Sequence, residues 1–291
     1  MTTNTVTVVH EKTKKIIYSF IEILKRPEMK ILPGQLAFYF LMSIVPIVAI
    51  ASTMASFVTS SYSFSETIAS VLPAVFSNIL VALANDMQFY DAFFILIMYI
   101  LFGSNAAGSI IIASNVLYET EQPIYIKRRI KSFIMTLMIV ILLLFVILIP
   151  LFGDTIMKFL MLFFDNIHML DNTMWLYVLL KTFISFVVMY FIIKFLYTYA
   201  PSESIDKNTT IRGALFTTIS WILATNIFSF YVTRMAKYKL LYGNFANILV
   251  LMLWIYLLAL LFVVGMALNV EDFHKKKDVK KHEKERKGQE E

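Results

Sequence analysis

Few side chains in this chain could do covalent or metal chemistry. The four histidines, His10, His168, His274 and His282, are scattered and make no metal-ligand spacing with carboxylates. Cysteine is absent, which removes thiol nucleophiles, thiolate metal sites and disulfides. No phosphate-cradling glycine loop, nucleophile elbow or basic–aromatic nucleic-acid module can be read from the sequence. The sequence therefore predicts no enzyme activity, no cofactor, no metal and no nucleic-acid partner.

Polar residues inside long apolar stretches remain as candidates. Gln35, Tyr39, Ser43 and Pro46 form the first group, with Tyr39, Ser43 and Pro46 on one helical face. Proline removes a backbone hydrogen bond and kinks a helix, and a neighbouring hydroxyl can satisfy the freed carbonyl or line a cavity. Ser104, Asn105, Gly108 and Asn115 form the second group. Small residues four apart let helices approach closely, and polar ones in the same stripe join helices or line a water path. Gly213, Thr217, Ser220 and Ala224 make a similar stripe that reads as a packing seam. Lys181 is the one ionisable residue well inside an apolar stretch. An intramembrane cation either faces a protein cavity or snorkels to the headgroups. Arg234, Lys237 and Lys239 make a basic cluster of their own. No Asp or Glu falls well inside the apolar stretches, which argues against a proton relay.

The elements that position these residues follow from composition. The 291 residues are 59% hydrophobic and 16% charged, too apolar for a soluble domain. A helix needs about 20 apolar residues to cross about 30 Å of hydrocarbon. Six stretches qualify: Pro33 to Phe57, Phe89 to Tyr118, Phe133 to Phe152, Met174 to Tyr199, Ile211 to Tyr231, and Phe245 to Asn269. They must be helices, because an open sheet leaves backbone groups unpaired in lipid. The predicted fold is an all-α integral membrane protein, with six transmembrane helices and amphipathic interfacial helices.

The stretch from Lys12 to Arg26 reads as an amphipathic helix that either lies in the interface plane or packs on the cytosolic side of the protein. Lys12, Lys15, Ser19, Glu22 and Arg26 share a face, opposite Ile16, Ile17, Phe20, Ile23 and Leu24. Thr67 to Ala84 and Thr155 to Phe164 are expected to lie on the opposite side of the membrane. The resulting division is a cytosolic N-terminal segment over residues 1–32, a membrane domain over 33–270 and a charged cytosolic tail over 271–291.

Lysine and arginine set the orientation. They crowd the N-terminal segment, the Lys127–Lys131 loop, the loop with Lys207 and Arg212, and the tail from Lys275. This alternation places both termini in the cytosol, with the net charge of +6 facing anionic lipid headgroups as partners. The Arg234, Lys237 and Lys239 cluster then lies outside, against the rule, which either counts against this orientation or marks an outward basic loop. Nothing in the sequence specifies an oligomeric state.

Four motifs in order resemble one known family. LAFYFLMSIVP over Leu36 to Pro46, ASNVLYE over Ala113 to Glu119 with its following KRR, and TYAPSESIDKNTTIRGAL are the first three. YGNFANILVLMLWIYLLALLFVVGMALNVE, Tyr242 to Glu271, is the fourth. Together they resemble the YihY/BrkB family across about Lys30 to Glu271. The likeness departs at Asn269 and Glu271, where that family more usually reads an acid and then Asn.

The resemblance implies a bacterial inner-membrane protein with about six spans, linked to envelope integrity and once labelled ribonuclease BN. The expected function is a membrane transporter or facilitator of lipid or another envelope component. The alternative is a non-transporting membrane scaffold for envelope integrity.

Overall fold

The computed structural model describes residues 21–56, 102–139, 173–234 and 245–287. All regular structure among these residues is helical. Residues 21–25 are helical, and the chain turns at Arg26 and Pro27. There follow α1 (Glu28–Ser56), α2 (Asn105–Leu117), α3 (residues 125–139), α4 (Thr173–Tyr199), α5 (Ile211–Arg234) and α6 (Phe245–Lys287). The predicted elements at Thr67 to Ala84 and Thr155 to Phe164 lie outside the described residues, as does most of Lys12 to Arg26.

Each helix boundary has a local cause. Helix α1 runs through both Pro33 and Pro46 and begins five residues ahead of the predicted span. Helix α2 is preceded by a π-type turn at residues 102–103 and a turn at Ser104, so the second apolar stretch is interrupted there. It ends because Glu119 adopts φ +54°. The Thr120 N–H then reaches the Asn115 carbonyl at 2.9 Å, and the Glu119 N–H reaches Val116 at 3.3 Å. This is a Schellman stop, a position usually held by glycine because a Cβ disfavours the left-handed conformation. Glu119→Gly is therefore expected to raise stability by about 1 kcal/mol, measured as a higher unfolding midpoint in bilayer discs. A lower midpoint would show that the Glu119 side chain matters more than its backbone.

Helix α4 stops ahead of Ala200 and Pro201, since the residue before a proline is pushed out of the helical region. In the following loop the Asp206 carboxylate accepts the Asn208 N–H at 3.1 Å, a turn that leads into α5.

The packing is centred on α6, which contacts α5, α1 and α2, while α4 packs on α5 and α2 on α1. Phe262 to Val270 are buried without interruption. A helix apolar all round is one enclosed by its neighbours. Helices α3 and α5 keep one apolar face outward. Leu223, Ile227 and Phe230 of α5 are 56%, 67% and 65% exposed, and Ile126, Ile130 and Ile134 of α3 repeat the pattern at four-residue spacing. Such stripes would be costly in water and are the natural boundary with lipid. Among the described residues two helices are long and apolar enough to cross a membrane, over Ile211–Phe228 and Leu249–Lys277. Only 28% of the first is buried, so it is not an enclosed core helix.

Helix α6 does not end with its apolar part. Its 43 residues extend about 65 Å at 1.5 Å per residue, far more than the hydrocarbon thickness. The predicted tail is thus a continuation of the last helix up to Lys287. Its first turns are tied down by ion pairs: Arg212 with Asp272 at 3.1 Å, Lys276 with Asp206 at 3.1 Å, and Lys277 with Glu203 at 3.9 Å. These cations and acids, with Lys127–Lys131, mark one end of the bundle as its charged end.

Candidate functional site

The break before α2 is where polar groups from three helices converge. Regular helix cannot pair the backbone groups at its own start. Here Ser43 of α1 supplies the missing partners from a different helix. Its hydroxyl donates to the Phe102 carbonyl at 2.8 Å and accepts the Ala106 N–H at 3.2 Å. Ser43 is fully buried, and Ser104 beside it is also buried. The hydroxyl thus leaves the proline-containing helix altogether and closes the break opposite.

Asn105 opens α2, and its side-chain oxygen accepts a hydrogen bond from the Arg129 guanidinium at 2.7 Å. Sequence reasoning grouped Arg129 with the loop cations. In the structure it turns along α3 to the start of α2. A guanidinium and a helix N-terminus are both positive there, a combination that favours a negative group. No spacing rule reveals this, because residues 105 and 129 meet only when α2 and α3 fold back on each other.

Gly108 lies one turn further on. A Cβ built there would meet the Ser132 hydroxyl oxygen of α3 at 3.1 Å, so the glycine sets the α2–α3 approach. Asn115 lies at the far end of α2, and its side-chain oxygen accepts the Ser202 N–H at 2.8 Å and the Thr120 hydroxyl at 2.9 Å. It is a buried tie between two loops rather than an open pathway group. Lys131 caps the end of α4 by donating to the carbonyls of Ala200 at 3.0 Å and Pro201 at 2.8 Å. Partial burial pushes the Lys131 ammonium below the usual lysine range.

A second polar seam joins α4, α5 and α6. Gly213 and Gly265 let α5 and α6 cross in close backbone contact, and a Cβ on either would strike the partner helix. Gly213 is in the first turn of α5, where its N–H has no partner within the helix. The Asn269 side-chain oxygen accepts that N–H at 2.7 Å and so caps α5 from α6. Tyr197 of α4 donates to the Phe262 carbonyl at 2.7 Å and shares a 2.7 Å hydrogen bond with the Thr217 hydroxyl. The Gly213 and Thr217 stripe is the packing seam that its spacing suggested. Tyr197 and Gly265 were not legible as its partners.

Gln35 and Tyr39 are half-buried on α1. The helix passes through Pro46, whose side chain is outside the described residues, as is that of Lys181 in α4. Arg234 is the last residue of α5, and Lys237 and Lys239 lie outside the described residues.

The family described as virulence factor BrkB matches residues 21–290. The chain belongs to the BrkB family. This BrkB-family chain is 28% identical over 250 residues to the ribonuclease-like protein YfkH of Bacillus subtilis, covering 84% of this chain and 90% of that one. A UPF0761 membrane protein of Haemophilus influenzae is 30% identical over 89 residues, 31% of this chain and 33% of its own length. Another UPF0761 membrane protein, from Chromobacterium violaceum, is 34% identical over 74 residues, 25% of this chain and 18% of its own. No solved structure matches the chain. The family and the lipid-type surface together make it a membrane protein.

Proposed function

We propose that this BrkB-family protein is a membrane transporter or facilitator, moving a lipid or another envelope component. The observation that supports this reading best is the interrupted second helix. Non-helical backbone at membrane depth is tolerated where protein or a water-filled cavity surrounds it, and transporter sites are commonly built on such discontinuous helices. Here the break is held by Ser43 of α1 and lies beside Asn105 and Arg129. A helix start next to a guanidinium suits an anionic headgroup.

The test is flux. Proteoliposomes carrying the pure chain should move fluorescent anionic phospholipid between leaflets faster than protein-free vesicles. No movement of lipid or solute across several candidates would end the reading.

The orientation belongs to the same proposal. The chain crosses a bacterial cytoplasmic membrane six times, with its charged end and both termini in the cytosol. Exposed Ile124, Tyr125 and Ile126 stand directly ahead of Lys127 and Arg128, with the Arg128 guanidinium 5.7 Å from the Tyr125 ring centre. Apolar residues followed by cations fit an anionic leaflet surface, whose headgroups are the expected partners. The chain has no native cysteine, so a thiol introduced at Lys127 reports its side alone. Labelling by an impermeant reagent added outside intact cells would overturn this orientation.

A scaffold is the second reading, and one observation favours it. Gly108 and Asn115 are engaged in helix and loop contacts rather than lining open space. A scaffold would lose function when α6 is truncated after Lys277 and would ignore a substitution at Asn105. In both readings the protein is not an enzyme. RNA incubated with the pure chain, with and without divalent metal, should stay intact.

A further inference from the structure

Three buried polar atoms near the charged end of the bundle have no hydrogen-bond partner among the described residues: Ser114 Oγ, Tyr118 OH and Asn269 Nδ2. Their residues are 1%, 3% and 0% exposed. An unpaired buried polar group costs about 1–3 kcal/mol, so three together demand a partner.

A ring contact links the two elements that carry them. Ser114 and Tyr118 are four residues apart on α2 and share a face. The Tyr118 ring meets the Phe273 ring of α6 edge-on at 5.4 Å between centres. Phe273 is one turn beyond Asn269 on the same face.

The orientation of each group is constrained. Asn269 must present its oxygen to the Gly213 N–H at 2.7 Å, which fixes its amino group on the other side. Ser114 behaves unlike several other hydroxyls of the bundle. Ser132, Thr136, Thr198 and Thr218 all bond back to a carbonyl four residues earlier in their own helix, and Ser109 to one three residues earlier. Ser114 does not, so it is free to serve a partner in the space between helices.

We propose that Ser114, Tyr118 and Asn269 form a buried water site joining α2 to α6. A buried water makes about three hydrogen bonds. The Asn269 amino group would donate to its oxygen, and the two hydroxyls would take its protons or give their own. The cluster has no cation of its own, which suits a neutral ligand such as water and not an anion. This site does not rest on the transport reading, since a non-transporting bundle would need it equally.

The test is X-ray radiolytic labelling of the full chain in lipid nanodiscs, read by mass spectrometry. Radiolysis of a bound water oxidises the side chain beside it. Tyr197 is the internal control, equally buried but with its hydroxyl already satisfied by Thr217 and the Phe262 carbonyl. Tyr118 should be oxidised several-fold faster than Tyr197. Equal protection of the two would overturn the site. The sign of the Tyr118→Phe effect is a second reading. A hydrated hydroxyl makes the variant melt lower than the wild type. A dry, unpaired hydroxyl makes it melt higher, which would overturn the proposal.

Discussion

Gly213→Ala should destabilise the protein by about 3–5 kcal/mol, combining overpacking of about 1–3 kcal/mol with a broken cap of similar size. The added Cβ points at the Gly265 carbonyl and at the Asn269 side chain. The carbonyl belongs to the α6 backbone and cannot rotate aside as a flexible side chain could. The helices must therefore separate. Separation then withdraws Asn269 from the Gly213 N–H and strains the Tyr197 hydrogen bonds to α5 and α6. In lipid the released groups find no water.

Gly34→Ala is the matched control, because nothing lies within 4 Å of the position a Cβ would take there. It should leave stability unchanged or raise it by up to about 1 kcal/mol, the helix-propensity gain. Both are measured by reversible unfolding in mixed micelles. A Gly213→Ala variant as stable as the wild type would mean that α5 and α6 do not cross at these glycines.

The second large effect is expected at Ser43. Ser43→Ala should cost about 2–4 kcal/mol, since it strands a carbonyl and an N–H that the broken helix cannot pair by itself. Ser43→Thr keeps the hydroxyl, and threonine tolerates helical backbone with its oxygen turned toward a carbonyl. It should recover most of the loss. Hydrogen exchange locates the effect: the Ala106 amide should exchange faster in Ser43→Ala and return toward the wild-type rate in Ser43→Thr. Unchanged exchange at Ala106 with lowered global stability would place the role of Ser43 elsewhere on α1.

These two positions differ in how well the sequence announced them. Ser43 was visible as a hydroxyl on the face of Pro46, and the expected choice lay between repairing its own helix and lining a cavity. It does neither in the simple sense, because it repairs another helix. Gly213 was visible as the head of a small-residue stripe, and packing was the expected role. What crosses it was not visible, since glycine says that something comes close and not what. Arg129 was the least legible. A basic loop sets topology by its charge count, which treats its members alike, whereas the fold sends Lys131 to the end of α4 and Arg129 to the start of α2. The tail was also only half legible. Its charge argued against a core, yet helix formers continue the last span, and Arg212 and the acids of the 203–206 loop hold its opening turns.

The sequence by itself determined that the chain is helical and apolar on its outward faces, with one heavily charged end. The reason is physical: long apolar runs need lipid, and in lipid only a helix pairs its own backbone. The tertiary structure alone decided which polar groups meet. Ser43 acts on residues 59 and 63 positions away, and Asn269 on one 56 away. Such contacts depend on how each helix is rotated and how closely it crosses its neighbour. Periodicity along one helix fixes which residues share a face, and the packing of helix on helix fixes what that face touches.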